Sequence, residues 1–490
     1  MLNYTVSEFK SIHKNKKNVL FYHSLNSNGE KDIINLIDNF LKEKNSFIFE
    51  SVEKGVSRGR YTIFGKNPDK IWEFNNNNSY FIKNNKKKKI AGKPKKIIEE
   101  IIENFNFKLP KSVPPLSSII SGYFSYDVIR YIEKISNKNK DDLNIPDARL
   151  IKPRTLVVHD NLKKKIFYII NCFKDEKINN YSKKYDEILK QIEDLIFLSN
   201  FNSNIYTKSH KNKNLRNNFN KIKSNITKNK FLNNVLKAKK YIKLGDVFQV
   251  VLSQRFEKKL TKKPLEIYKK LRITNPSPFM YFFNFNDFQI IGASPEILVR
   301  LRNQKVTIRP IAGTRPRGKN KKEDIYLEKD LLKDKKELSE HLMLLDLGRN
   351  DAGKISKINS IKVTEKFKIE RYSHVMHIVS NVVGKFNNKH SKFDTLLSGF
   401  PAGTVSGAPK IRAMEIIDEL ETTKRKVYAG GIGYFSANGD FDTCIALRTA
   451  IAKNNKFYAQ AGAGIVADSK PLNEYNETVN KAKALINSLE

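Results

Sequence analysis

Beyond residue 229 the chain reads as one short apolar run after another. VFQVVLSQRF, PFMYFFNF, FQIIGA, EILVRL and VTIRPI are successive β runs; helices follow, and then GGIGYF, DTCIALRTAIA and FYAQAGAGIVA. Strands in a row, closed by short turns rather than alternating singly with helices, pair antiparallel and imply an α+β architecture. The expected fold is α+β, with large, mostly antiparallel sheets packed as a sandwich and helices on the outside.

At 490 residues the chain exceeds one ordinary core, which stops growing at roughly 250–300 residues. Its first part alternates short β runs with turns and helical stretches. SFIFESV, RYTIFG and GYFSYDVIRYI read as strand or strand-to-helix segments, and TLVVHD with KIFYIINCF reads as a hairpin across Asn161, Leu162 and Lys163. A helical pattern runs from about 182 to 199. The stretch 201–226 is Asn, Lys and Ser with few apolar residues, a linker or surface excursion. The expected division is therefore an N-terminal domain over 1–200, this linker, and a catalytic domain over 227–490 on which the first packs. No internal repeat is visible.

Two cysteines, Cys172 and Cys444, exclude a disulfide framework and a cysteine-rich metal site. The N-terminus lacks the apolar core of a signal peptide, and no apolar run reaches the ~18 residues of a membrane span. A reducing, cytoplasmic setting fits. The net charge of +40 invites a basic nucleic-acid-binding protein as a rival from another class. The excess is mostly Lys, however, and it sits in stretches such as Lys86–Lys89 and 208–230 with sparse aromatics, so no stacking platform for bases accompanies it. Solvated lysines are the simpler reading, and neither a specific nucleic acid nor a membrane is expected as a partner.

Two phosphate-binding patterns fail on context. Gly462-Ala463-Gly464-Ile465-Val466-Ala467 fits G-x-G-x-x-G/A, but its glycines lie inside a strand instead of opening a helix. Gly403–Lys410 resembles a P-loop, but Pro409 displaces the lysine and no Ser or Thr follows. Carboxylates are more informative. Over 327–348 the spacing predicts one helix with an apolar stripe of Leu331, Leu338, Leu342 and Leu345, a second of Leu344 and Leu347, and a buried C-terminal half. Glu340 lies beside the second stripe, where a bare carboxylate is costly unless paired or metal-bound. Pro471 suits the first position of a helix that sets Glu474 and Glu477 one turn apart on one face. A structural salt bridge and helix-dipole compensation are the competing readings of these acids. If a metal is held, oxygen ligands without a His or Cys cluster select Mg²⁺ over Zn²⁺.

GASPEILVR, RPIAGTRPRG, EHLMLLDLGRND, MHIVSNVVG, FPAGTVSGAPKIRAMEIIDELE, YAGGIGYF, DTCIALRTA and QAGAGIVADSKPLNEYNET occur in the order seen in chorismate-utilising enzymes. The chain resembles that family, and within it the component I branch of the anthranilate synthases. The match is dense over 230–488 and sparser over 47–65 and 122–155. Three positions sort the family's reactions. Gln249 stands where water-activating members carry a lysine, and Ala312 stands where aminodeoxychorismate synthases carry a nucleophilic lysine. His377 matches the histidine typical of anthranilate synthases.

The resemblance implies a Mg²⁺-dependent lyase that converts chorismate and ammonia to anthranilate and pyruvate. It implies that Glu340 and Glu477 hold the ion, with Glu474 assisting, and that Gly313, Thr314, Tyr428, Arg448 and the Gly462–Ala463–Gly464 backbone receive the substrate. A dianion suits a cation, a forked guanidinium and glycine N–H groups. Glu296 occupies the acid position for the leaving C4 hydroxyl, Thr404 contacts the substrate, and His377 assists pyruvate loss. Neither cysteine sits in the turn an amidotransferase nucleophile needs. Ammonia is thus expected from a glutamine amidotransferase small subunit in a hetero-oligomer, with a heterotetramer as the expected form. The segment Glu50-Ser51-Val52-Glu53-Lys54-Gly55 and its companion Asn275–Tyr281, including Pro278, Phe279 and Met280, resemble the two halves of a feedback site for L-tryptophan. The nearest alternative activities are an aminodeoxychorismate or amino-deoxyisochorismate synthase that stops before pyruvate loss.

Overall fold

The computed structural model describes residues 2–53, 56–57, 59–84, 86–201, 222–372 and 375–489. Residues 202–221 of the expected linker lie outside the described residues, as do Lys54 and Gly55 of the N-terminal regulatory motif. Strands from both sides of that linker join one large sheet system. Ser46–Glu50 pairs antiparallel with Phe279–Asn284, Glu50 standing opposite Met280. Ile119–Phe124 pairs antiparallel with Gly431–Ser436. Tyr61–Asn75 lies along Ala148–Asp160, and Gln249–Lys259 along Lys456–Ile465.

The core explains the layering. One apolar cluster contains Phe47, Ile63, Tyr123, Tyr281, Phe283 and Ile451 and draws on strands and loops without a helix. Sheet faces therefore pack directly on each other there, as in a sandwich. The two other large clusters lie between strands and helices. Val6–Lys14, Glu30–Phe40, Tyr181–Asn200, Pro264–Thr274 and Pro471–Asn487 cover one side, while Pro94–Asn104, Lys228–Lys243, Lys392–Ser398 and Lys410–Leu420 cover the other. The α+β architecture follows, with mostly antiparallel sheet inside and helices outside. No helix among the described residues is long and apolar enough to cross a membrane.

Several local expectations hold. The hairpin pairs Val157 with Tyr168, and the glycines of Gly462 and Gly464 lie within a strand. The stretch 182–199 is the helix Tyr181–Asn200. Others are corrected. The first β runs of the C-terminal half are interrupted by the helix Pro264–Thr274, where Pro264 takes the first turn and Ile267, Tyr268 and Leu271 bury one face. The single helix over 327–348 is two, Lys321–Lys333 and Lys335–Gly353. Asp334 breaks it, since its side chain accepts from Lys336 N and Glu337 N and so caps a new helix. The leucine stripe divides accordingly. Leu331 and Leu338 pack on Met376 and Ile378, Leu344 and Leu345 are buried, and Leu342 is exposed. The C-terminal half is thus amphipathic, with Asp346, Arg349 and Asn350 in solvent. Among the described residues Lys86–Ile90 pairs only with Asn78–Lys83, so its exposed lysines line a sheet edge, a device that discourages pairing with another chain.

The N- and C-terminal regions are also joined by charge. Lys426 is fully buried, with Nζ 2.9 Å from Asp147 and 2.6 Å from Asp141, and its N–H donates to Asp127. Asp147 accepts from Asn76 N and Tyr131 Oη as well. Removing one member of such a cluster strands the buried partners. Lys426→Met should lower stability by roughly 3–5 kcal/mol, read as the shift of a urea unfolding curve. A change below about 1 kcal/mol would show that the cluster is dispensable.

Candidate active site

Strand Ile311–Pro316 pairs with Val375–Lys385, and the register shifts between Ala312 and Thr314. The shift is made at Gly313, whose φ of +69° favours glycine. It turns the Gly313 carbonyl onto His377, 3.0 Å from Nδ1, with Thr314 Oγ1 at 3.1 Å from the same nitrogen. Nδ1 therefore carries the proton and Nε2 presents its lone pair. Burial lowers the His377 pKa, so the ring is neutral near pH 7.

His377 and Thr314 line a cleft of about 580 Å³ with Arg448, Glu477, Lys481 and Tyr372. Arg448 sits at a positive φ of 46°, and burial lowers its pKa. Its guanidinium has no hydrogen-bond or ion-pair partner among the described residues. A half-buried, fork-shaped cation without a partner among the described residues suits reception of an anion.

Glu296 is buried, and its carboxyl accepts from Thr404 Oγ1 at 3.2 Å. Burial pushes its pKa up to about 8, against the smaller opposing effects of Thr404 and the Ile311 N–H. The group is accordingly an acid with a proton to give at neutral pH. Thr404 stands in a short turn, Gly403–Val405, ahead of the helix Lys410–Leu420.

Strand Lys456–Ile465 supplies backbone to the site. Ser253 and Val251 stand opposite Gly462 and Gly464, and their N–H groups point away to Glu421 and to Ser406 O. Gly462 and Gly464 therefore turn their own amides to the far edge, while Ala463 faces Leu252 in the ladder. Lys481 Nζ donates to Gly462 O at 3.1 Å, and the Gly462 N–H reaches the hydroxyl of the buried Tyr428. A Cβ at Gly462 would lie 2.6 Å from that hydroxyl, and one at Gly464 2.5 Å from Gln249 Nε2. A Cβ at Gly462 would also meet Leu252 O at 3.0 Å, so close approach favours glycine there, whereas at Gly464 the flexible end of Gln249 can give way.

Gln249 Nε2 donates to Glu340 Oε1 at 3.1 Å. Burial raises the pKa of Glu340, and the negative charge of Glu477 adds to the shift. Burial likewise raises Glu474. Glu477 is paired with Lys481 at 2.6 Å, one turn along the same helix. Among the described residues no three His, Cys, Asp or Glu groups stand close enough to hold a metal. The donor chemistry nonetheless fits a hard cation. Glu477 lies near enough to both Glu340 and Glu474 to raise them, and added positive charge would relieve both.

Lys481 and Tyr372 are site residues that sequence reasoning missed. Lys481 acts electrostatically on Glu296, Glu340, His377 and Glu474. Its spacing of four from Glu477 on a helix was a usable signal. Nothing local marks Tyr372. Separately, a cavity of about 380 Å³ is lined by Glu50, Ser51, Pro278, Phe279 and Met280, together with four arginines. The carboxylate of Glu50 is held by Tyr268 Oη and Arg272, so its charge is directed to the helix Pro264–Thr274.

A family model described as chorismate binding enzyme matches residues 47–487. The anthranilate synthase component 1 of Cereibacter sphaeroides is 46% identical over 453 residues, covering 91% of this chain and 89% of that protein. That of Acetivibrio thermocellus is 46% identical over 462 residues, covering 93% and 92%. The crystal structure of anthranilate synthase component I from Streptococcus pneumoniae superposes with a TM-score of 0.77 at 40% identity, covering 87% of this chain and 92% of that one.

The burial of Glu296 also bears on stability. An unfolded chain ionises this carboxyl near 4.5, the folded one near 8, so between these values the unfolded state binds fewer protons. This group therefore makes the fold lose stability as pH rises through that window. Comparing urea midpoints at about pH 5 and about pH 8, Glu296→Gln should lose less stability than wild type. Equal losses would mean that Glu296 is ionised in the folded state.

Proposed function

The chain belongs to the chorismate-binding enzyme family, and from that premise we propose that it converts chorismate and ammonia to anthranilate and pyruvate, the reaction that leads into tryptophan synthesis. One observation carries this reading. A buried acid that keeps its proton to about pH 8 stands beside a cleft in which Arg448 has no partner among the described residues. Hydroxide leaves poorly without a proton donor, and a dianionic substrate needs such a receptor.

Arg448, Lys481 and the Gly464 amide would hold the substrate's carboxylates and oxygens. Ammonia forms the C2–N bond, the ring double bonds shift, and the C4 hydroxyl leaves as water with the proton of Glu296. The Nε2 lone pair of His377 suits removal of the C2 proton as the enolpyruvyl C–O bond breaks, which yields pyruvate and the aromatic ring. Gln249, its amide given to Glu340, is no base for water. This favours ammonia as nucleophile. Glu340 and Glu477, with Glu474, would hold Mg²⁺, which supplies positive charge for a substrate carboxylate. Both cysteines are buried and their thiols pushed above the usual range, unlike an activated nucleophile. A separate glutamine amidotransferase is therefore the expected ammonia source, and two free thiols suit the cytoplasm.

With chorismate, Mg²⁺ and ammonium, the purified chain should release fluorescent anthranilate and an equal amount of pyruvate. Glutamine should serve only after the small subunit is added. At fixed free ammonia the rate should descend as pH rises through about 8, where Glu296 loses its proton. Glu340→Gln should abolish turnover while preserving the unfolding temperature. A non-aromatic amino product without pyruvate would identify an aminodeoxychorismate-type or amino-deoxyisochorismate-type synthase instead. Full activity in excess chelator would remove the metal from the scheme.

The 380 Å³ cavity supports feedback inhibition by L-tryptophan, because the paired strands Ser46–Glu50 and Phe279–Asn284 bring its two motif halves together. Ser51 lies against Gly59, where a Cβ would already meet its own at 2.5 Å, so a larger side chain must turn into the cavity. Ser51→Phe should weaken tryptophan binding by about tenfold or more in calorimetry. Unchanged affinity would move the regulatory site elsewhere.

A further inference from the structure

Among the described residues Tyr372 is the one side chain that lines both the 580 Å³ cleft and the 380 Å³ cavity. On the cleft side its ring meets that of His377 edge to face, centroids 5.5 Å apart. Arg448 is close enough for the two groups to act on each other's charge. On the cavity side its hydroxyl donates to Glu370 Oε2 at 3.0 Å. Glu370 in turn accepts both ends of the Arg309 guanidinium, one at 3.0 Å. Arg309 and Glu370 both line the cavity. The backbone is fixed separately, since Tyr372 N–H donates to Val375 O and Tyr372 O accepts from Arg317, each at 2.8 Å. The ring is thus a wall held from one cavity and pressed on the catalytic histidine of the other.

We propose that Tyr372 couples the two cavities. A zwitterionic amino acid in the smaller one competes for Arg309 with its carboxylate or for Glu370 with its ammonium, and so loosens the hydroxyl's anchor. The ring then shifts against His377 and Arg448, and the cleft binds substrate less well. This rests on the tryptophan reading above and specifies how that site speaks to the other. The acids that line the cavity support the choice of Glu370. Glu50 is engaged by Tyr268 and Arg272, and Asp442 is shared between Arg300 and Arg302, whereas Glu370 bonds Tyr372, a residue of the cleft.

Linkage supplies the test, because two ligands that weaken each other do so by one common factor. Tryptophan is titrated by calorimetry into the full chain with Mg²⁺, with and without saturating chorismate, and with no ammonia so that no turnover occurs. In the wild type chorismate should weaken tryptophan binding by about fivefold or more. In Tyr372→Phe, which keeps the ring and removes the anchor, tryptophan should still bind, but the factor should fall below about twofold. Glu370→Gln should reduce the factor in the same way. The factor is a ratio within one variant, so a general loosening of the fold does not imitate the result. A wild-type factor in both variants overturns the proposal. So does loss of tryptophan binding in both, which would assign these groups to the ligand itself. Absence of tryptophan binding, or a factor of one, in the wild type would instead refute the feedback reading on which the coupling rests.

Discussion

A single buried guanidinium organises the end of the sheet that carries the candidate site. Arg425 donates twice to Glu421, once to Val405 O and once to Val251 O, and its charge lies 5.6 Å from the ring centre of Tyr428. Val405 follows Thr404, which bonds the acid Glu296. Val251 lies two residues beyond Gln249, which bonds Glu340. Glu421 also accepts from the N–H and hydroxyl of Ser253, beside Gly462 in the ladder. The acid turn, the carboxylate side and the glycine edge are therefore set relative to one another by one cation. A guanidinium suits the task because its five donors lie in a fixed plane and satisfy several acceptors without loss of charge. Neighbouring Lys426 does the same for the N-terminal region through Asp141 and Asp147. Two adjacent cations thus lock the site to the rest of the fold.

The site assigns different roles to chemically similar groups by environment. Glu296 faces Thr404 and the Ile311 N–H with little else to offset burial, so it stays protonated at neutral pH. Glu477 is exposed and paired with Lys481 one turn along its helix. Glu340 and Glu474 are raised by burial yet lie within the field of Lys336 and Lys481. A protonated acid at one place and a cluster of carboxylates at another is what a site needs if one end donates a proton and the other receives a cation. It arises from where the helices Lys335–Gly353 and Pro471–Asn487 present these residues to the sheet, not from residue type.

Much of this was legible because it depends on local rules. Pro471 opening a helix, Glu474 and Glu477 one turn apart, and two glycines inside a strand all follow from spacing and backbone chemistry. Asp334 shows where such reasoning failed. Periodicity ran through it, whereas its side chain ends one helix and starts the next. The helix Pro264–Thr274 was hidden because its apolar residues stand between two strands of similar texture. Tyr372 and the lack of a partner for Arg448 among the described residues were out of reach for another reason. Both are properties of what packs around a residue after distant strands have joined, and no window of sequence contains them.

The closeness of the two cavities is a consequence of strand continuity. Asn275, Pro276 and Ser277 line the cleft, while Pro278, Phe279 and Met280, next in sequence, line the smaller cavity. The same happens at Ser294–Glu296, where Pro295 faces the smaller cavity and Glu296 bonds Thr404 on the other side. These two stretches are themselves tied, since Ser277 Oγ donates to Ser294 O at 2.8 Å and Val52 N–H donates to Ser277 O at 3.0 Å. A strand passing between two pockets has little freedom to move on one side alone, because its hydrogen-bonded neighbours and close-packed faces hold it. Filling one cavity must therefore be accommodated by groups that the other also uses. With the backbone tied in this way, side chains at the boundary are the parts able to yield, and Tyr372 is the one that reaches both sides.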